Sequence, residues 1–97
     1  MKITPAALEW LSESTKEITE PVIAVVERVY RGWCGTQKVT QVMPVSRKDI
    51  PDESQFVQKT IENWPVYMDQ SISHIESKIT IDIAGWSTFK RLIIIDN

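Results

Sequence analysis

Cysteine occurs once in this chain, histidine once and glycine three times. A single cysteine cannot close an internal disulfide, which fits a reducing compartment and a cytoplasmic location. One cysteine and one histidine fall short of the four ligands that zinc or an iron–sulfur cluster usually takes. The scarce glycines form no phosphate-cradling loop, and neither His-Glu-x-x-His nor Gly-x-Ser-x-Gly occurs. Basic residues are not in excess. Eleven lysines and arginines face 13 acidic residues, a net charge of −2 that argues against a nucleic-acid partner. No apolar run approaches the roughly twenty residues of a membrane-spanning helix. The start, Met1-Lys2-Ile3-Thr4-Pro5, lacks the apolar core of a signal peptide, so no membrane association is expected. Repeats and low-complexity tracts are absent.

What is present describes an ordinary globular chain. Its 97 residues, 42% hydrophobic and 25% charged, suit one domain spanning 1–97. Such a length can bury a modest core without disulfides or a structural metal. Thr4-Pro5 reads as an N-cap with proline in the first helical turn, and Ala7, Leu8 and Leu11 recur at helical spacing. This predicts a helix from about Pro5 to Lys16. Val22 to Arg31 is β-branched and apolar at both parities up to Val26, which predicts a strand buried on both faces at its start. Gln37 to Val45 reads as a second strand, with Pro44 placing its end near an edge or bulge. Ser46 to Ser54 is a charged, solvated loop. Phe56 to Ile61 fits helix or strand, and strand is preferred; Pro65 to Asp69 is another short strand. Ser71 to Ser77 predicts a turn or one or two helical turns. Ile79, Ile81 and Ile83 alternate with Thr80 and Asp82, the clearest strand pattern in the chain. Gly85 to Thr88 then turns into a last strand, Phe89 to Ile95, through a four- or five-residue connection. One helix followed mainly by strands implies an α+β or mainly-β domain.

Chemistry concentrates at Cys34. It follows the valine-rich run within Arg31-Gly32-Trp33-Cys34-Gly35-Thr36, where Gly32 and Gly35 flank the Trp33-Cys34 pair and permit a sharp turn. A thiolate presented on such a loop can attack electrophiles or bind soft metals, and Arg31 adds a nearby cation. The plainer reading is a buried, inert cysteine packed as a small hydrophobe. Other residues offer less. His74 reads as a surface or packing residue. Asp49, Asp52 and Glu53 lie in the solvated loop, Asp69 suits a turn or cap, and Asp82 should point to water. Trp10, Trp33, Trp64 and Trp86 fit core packing or an interface. No catalytic pair emerges, and the reading leans away from an enzyme. Trp33-Cys34-Gly35 resembles the thioredoxin segment Trp-Cys-Gly-Pro-Cys, but Gln37 stands where the second cysteine would be.

The order of elements resembles the HesB-like proteins, the A-type iron–sulfur carriers. Ile3-Thr4-Pro5-Ala6-Ala7 opens a helix as in that family, and a strand ends in the glycine-flanked Cys34. Val66-Tyr67-Met68-Asp69, then Ser71 to Ile75, then Lys78-Ile79-Thr80-Ile81-Asp82 are similar to a later stretch of it. Position 74 falls where the family tends to have an aromatic, which favours packing for His74. The chain lacks the Cys-Gly-Cys segment of the A-type carriers and ends at Ile95-Asp96-Asn97. It looks closer to a divergent HesB-like branch, some of whose members carry a Cys-Cys or selenocysteine-containing pair at this loop. Here Trp33 replaces one half of that pair.

The resemblance implies an α+β HesB-like domain, an N-terminal helix packed on two small mixed β-sheets in a flattened barrel or sandwich. It implies a small cytosolic bacterial protein related to iron–sulfur cluster assembly or carriage, with Cys34 as the only candidate thiol ligand. Iron or a cluster would then be shared between chains, a homodimer contributing two Cys34 residues and a small thiol or another protein completing the shell. The expected partners are iron–sulfur assembly or acceptor proteins. The alternative is an interaction or structural protein that kept the fold and lost cluster binding, with no cofactor. A monothiol redox protein is a lesser alternative.

Overall fold

In the computed structural model, which describes residues 1–96, the chain folds into one helix and two mixed β-sheets. The seven strands are β1 (Lys2–Ile3), β2 (Pro21–Gly32), β3 (Gly35–Ser46), β4 (Phe56–Ile61), β5 (Trp64–Asp69), β6 (Ile79–Ala84) and β7 (Arg91–Asp96). Helix α1 covers Pro5–Ser14. One sheet has the order β1-β6-β7 and the other β3-β2-β5-β4. β1 runs parallel to β6 and β2 parallel to β5, while the other pairs are antiparallel. The α+β expectation and the two mixed sheets are therefore present. Among the described residues the sheets do not close into a barrel. The edge strands β3 and β7 instead border a cleft of about 400 Å³.

Thr4 starts α1 as its sequence suggests. Its backbone is extended, and its Oγ1 accepts from the Ala7 N–H at 3.2 Å, satisfying a donor left free in the first turn. The same hydroxyl donates to Asp82 Oδ1 at 2.7 Å, and the Thr4 N–H donates to the Ile81 carbonyl at 2.9 Å. These bonds fasten the start of the helix to β6. Asp82 thus does not simply face water; it also accepts from the Ile83 N–H at 2.8 Å. The helix ends at Ser14, earlier than expected, where Thr15 donates both its N–H and its hydroxyl to the Leu11 carbonyl.

Strand alternation sorts the apolar residues onto two faces. Ile23 and Val25 of β2, Val66 and Met68 of β5, Ile79 and Ile81 of β6, and Ala7 and Leu11 of α1 form the main core between the sheets. Val22, Ala24 and Tyr67 point the other way, where Ile50 from the charged loop covers them. Both faces of β2 are buried from Val22 to Val25, as its sequence predicts. Pro44 lies within β3, an edge strand of its sheet, where a missing N–H is tolerated.

Phe56–Ile61 is a strand, joined to β5 by Glu62 and Asn63 at φ 50° and 67°. Two consecutive left-handed residues match the turn that best follows strand twist. Gln70–Lys78 forms 3-10 turns, capped by Asp69, whose carboxylate accepts from the Ser71 N–H. The β6–β7 connection is longer than predicted and runs from Gly85 to Lys90. Phe89 belongs to it rather than to β7.

Candidate functional site

β2 and β3 are each twice as long as any other strand, 12 residues against 6 or fewer. Only their near halves touch the body. β5 pairs with β2 just at Ile23, Ala24 and Val25. From Arg28 onward β2 pairs with β3 alone, and residues 28–38 are exposed throughout. These residues form a two-stranded arm that extends past Val26 and Val42. At a rise of about 3.3 Å per residue, the stretch from Arg28 to Gly32 reaches roughly 17 Å. Alternation has no buried face to serve here, so Val29, Tyr30 and Arg31 follow one another without pattern.

Trp33 and Cys34 are the turn at the arm's end. Gly32 pairs with Gly35, leaving these two residues as the whole connection. Cys34 is a free, exposed thiol and Trp33 is fully exposed, at 106% of its reference area. Cys34 thus lies exposed on the turn rather than packed in the core. Of the two flanking glycines only Gly35 uses its freedom, at φ +108°. Gly32 has no positive φ, and nothing lies within 4 Å of a Cβ placed there. Tyr30, about half exposed, accepts a hydrogen bond from Gln41 Nε2 at 2.9 Å across the strands.

The other candidate residues are not brought to this tip. His74 lies in the 3-10 stretch and is exposed, on the surface rather than packed. Among the described residues no group of three His, Cys, Asp or Glu side chains could hold a metal ion. Asp52 serves its own loop. Its carboxyl is held below the ordinary range by the Ser54 hydroxyl and N–H. Glu53 pairs with Arg47 at 3.2 Å. Trp10 and Trp64 pack against the core, whereas Trp86 is exposed like Trp33. The thioredoxin likeness ends at three residues. In that arrangement a helix would follow the cysteine, and here β3 does.

What the sequence reading missed is the arm. Two β-rich runs separated by exactly two residues beside a glycine form a hairpin signal, and Gly32-Trp33-Cys34-Gly35 carries it.

Residues 1–97 match the model of the CC/Se motif containing family. The chain belongs to this family. A comparison with curated proteins gave no match. Within the family this chain has no adjacent cysteine pair, since Cys34 stands between Trp33 and Gly35. No helix among its described residues is long and apolar enough to cross a membrane.

Proposed function

We propose that this is a cytoplasmic, HesB-like protein of iron–sulfur cluster assembly or carriage in which Cys34 is a thiol ligand acting between molecules. The observation that carries the reading is the placement of Cys34, free and exposed at the turn of a projecting arm. Such a thiol can approach a group held by another molecule without any rearrangement of the core. The family description, with its CC/Se motif, adds support, because Cys34 is the only residue here that can belong to such a motif. The residues of one chain do not fit a resident cluster: they supply one thiolate and no cluster of further ligands among the described residues. They fit a cluster carried as cargo and shared with a second chain, a small thiol or an acceptor protein.

A second reading is a pure interaction protein, favoured by the exposed side chains of Trp33, Trp86 and Phe89. Anaerobic reconstitution with iron, sulfide and glutathione separates the two, using the intact chain and Cys34→Ser. The cluster reading expects visible charge-transfer absorption and bound iron that both disappear in Cys34→Ser. Equal iron in the two proteins, or none in either, overturns it.

A further inference from the structure

The chain carries two exposed aromatic patches of opposite charge. The first is the arm. Its exposed residues 28–38 contain Arg28, Arg31 and Lys38 and no acidic residue, so the rest of the chain, with eight basic and 13 acidic residues, stands at −5. At the arm's end Trp33 is fully exposed, with Tyr30 and Val29 about half exposed behind it. An indole left wholly in water is a large apolar surface that binding would bury.

The second patch lies beside α1. Ala6, Glu9, Trp10, Glu13, Ile83 and Lys90 line a cleft of about 360 Å³. That falls within the range of pockets that enclose small groups, about 300–1,000 Å³. Its apolar walls come from Ala6, Trp10 and Ile83. Its negative charge comes from Glu9 and Glu13, one turn apart on α1. Lys90 is the one cation lining it. Glu13 also meets Lys16 at 3.1 Å, but this pair is two-thirds exposed and opens at little cost. Trp86 and Phe89, 78% and 75% exposed, lie in the connection between Ile83 and Lys90.

The geometry points to a second copy of this chain as the occupant of that cleft, with the arm's Trp33 entering against Trp10 and Ile83 while Arg31 and Lys38 face Glu9 and Glu13. Apolar and charged complementarity coincide in the same pair of surfaces. The acidic body that repels an anionic membrane or a nucleic acid attracts the cationic arm of a copy. Two chains that exchange arms close into a two-fold dimer, and one-way docking builds a chain; both raise mass with concentration. The contact does not involve the Cys34 sulfur, so it stands or falls independently of cluster binding.

Sedimentation velocity under reducing conditions tests it, with circular dichroism confirming that each variant folds. The wild-type chain and Cys34→Ser should both associate with rising concentration up to about 0.5 mM, less so at high salt. Trp33→Ala, at a residue with no burial to lose, should weaken association roughly tenfold or more. R31E/K38E and E9K/E13K should each remain monomeric alone, and their mixture should associate, because each now complements the other. A wild-type chain that stays monomeric throughout overturns the inference. So does association that survives both charge reversals, or a mixture of folded variants that fails to associate. Binding of the wild-type arm to phosphatidylserine vesicles without self-association would equally refute it.

Discussion

Gly32→Ala and Gly35→Ala make a matched pair of perturbations at the thiol turn. Neither new methyl group meets an atom within 4 Å, so sterics cancel between them. What differs is the backbone, since Gly35 sits at φ +108° and Gly32 has no positive φ. Forcing an L-residue into the left-handed region costs about 1–2 kcal/mol, whereas Gly→Ala at a compatible position is neutral or favourable by up to about 1 kcal/mol. That penalty should fall on the arm alone. Residues 28–38 are exposed and bury nothing against the core, and a bare two-stranded ribbon is marginally stable. Gly35→Ala should therefore open the arm roughly five- to thirtyfold more often, by the usual conversion of 1.4 kcal/mol per factor of ten. Amide exchange of residues 29–38, followed by NMR, reads this directly. Gly32→Ala should leave exchange unchanged or slower, and neither variant should shift the global denaturation midpoint. Equal effects of the two substitutions would refute the argument from Gly35. A lowered midpoint would show that the arm folds as one unit with the core.

Two further predictions concern the framework that holds the arm. Thr4→Ala removes the α1 cap and should cost about 1 kcal/mol, lowering Tm by roughly 4–8 °C in a thermal melt. The same hydroxyl, and after it the Ile83 N–H, holds the Asp82 carboxyl below the ordinary range. A depressed carboxyl stabilises the fold above its unfolded pKa of about 3.9, and that share is lost as pH falls through its lower folded value. The gap between wild type and Thr4→Ala should therefore narrow in acid, and a gap that widens there contradicts the Thr4–Asp82 bond. Gly85→Ala should be the most damaging glycine substitution. Gly85 has φ +94°, and a Cβ there would lie 2.4 Å from the Phe89 carbonyl oxygen. A loss of roughly 2–3 kcal/mol in urea denaturation is expected, and a neutral result contradicts the geometry of the β6–β7 connection.

The sequence was most legible where side chains answer to the core. Ile79, Ile81 and Ile83 alternate because β6 has one buried face, and Val22 to Val25 do not because β2 begins between two covered faces. Thr4-Pro5 was readable as a cap because the signal is local. The partner of Asp82 and the β1–β6 pairing were not, since each depends on a residue distant in the chain; Thr4 and Asp82 are 78 positions apart. The site was half legible. Gly-Trp-Cys-Gly announced a turn with a thiol, but how far the arm extends past the body depends on where β5 stops pairing with β2. Past Val26 no packing constrains the pattern, so nothing in the order Arg28-Val29-Tyr30-Arg31 signals exposure.

Native mass spectrometry of the chain after anaerobic reconstitution with iron, sulfide and glutathione shows whether Cys34 serves a cluster shared between molecules. A cluster shared through Cys34 should put iron and sulfide on species containing two chains, or one chain with glutathione, and on none formed by Cys34→Ser. Iron and sulfide bound to a single chain with no added thiol, or retained by Cys34→Ser, would contradict it.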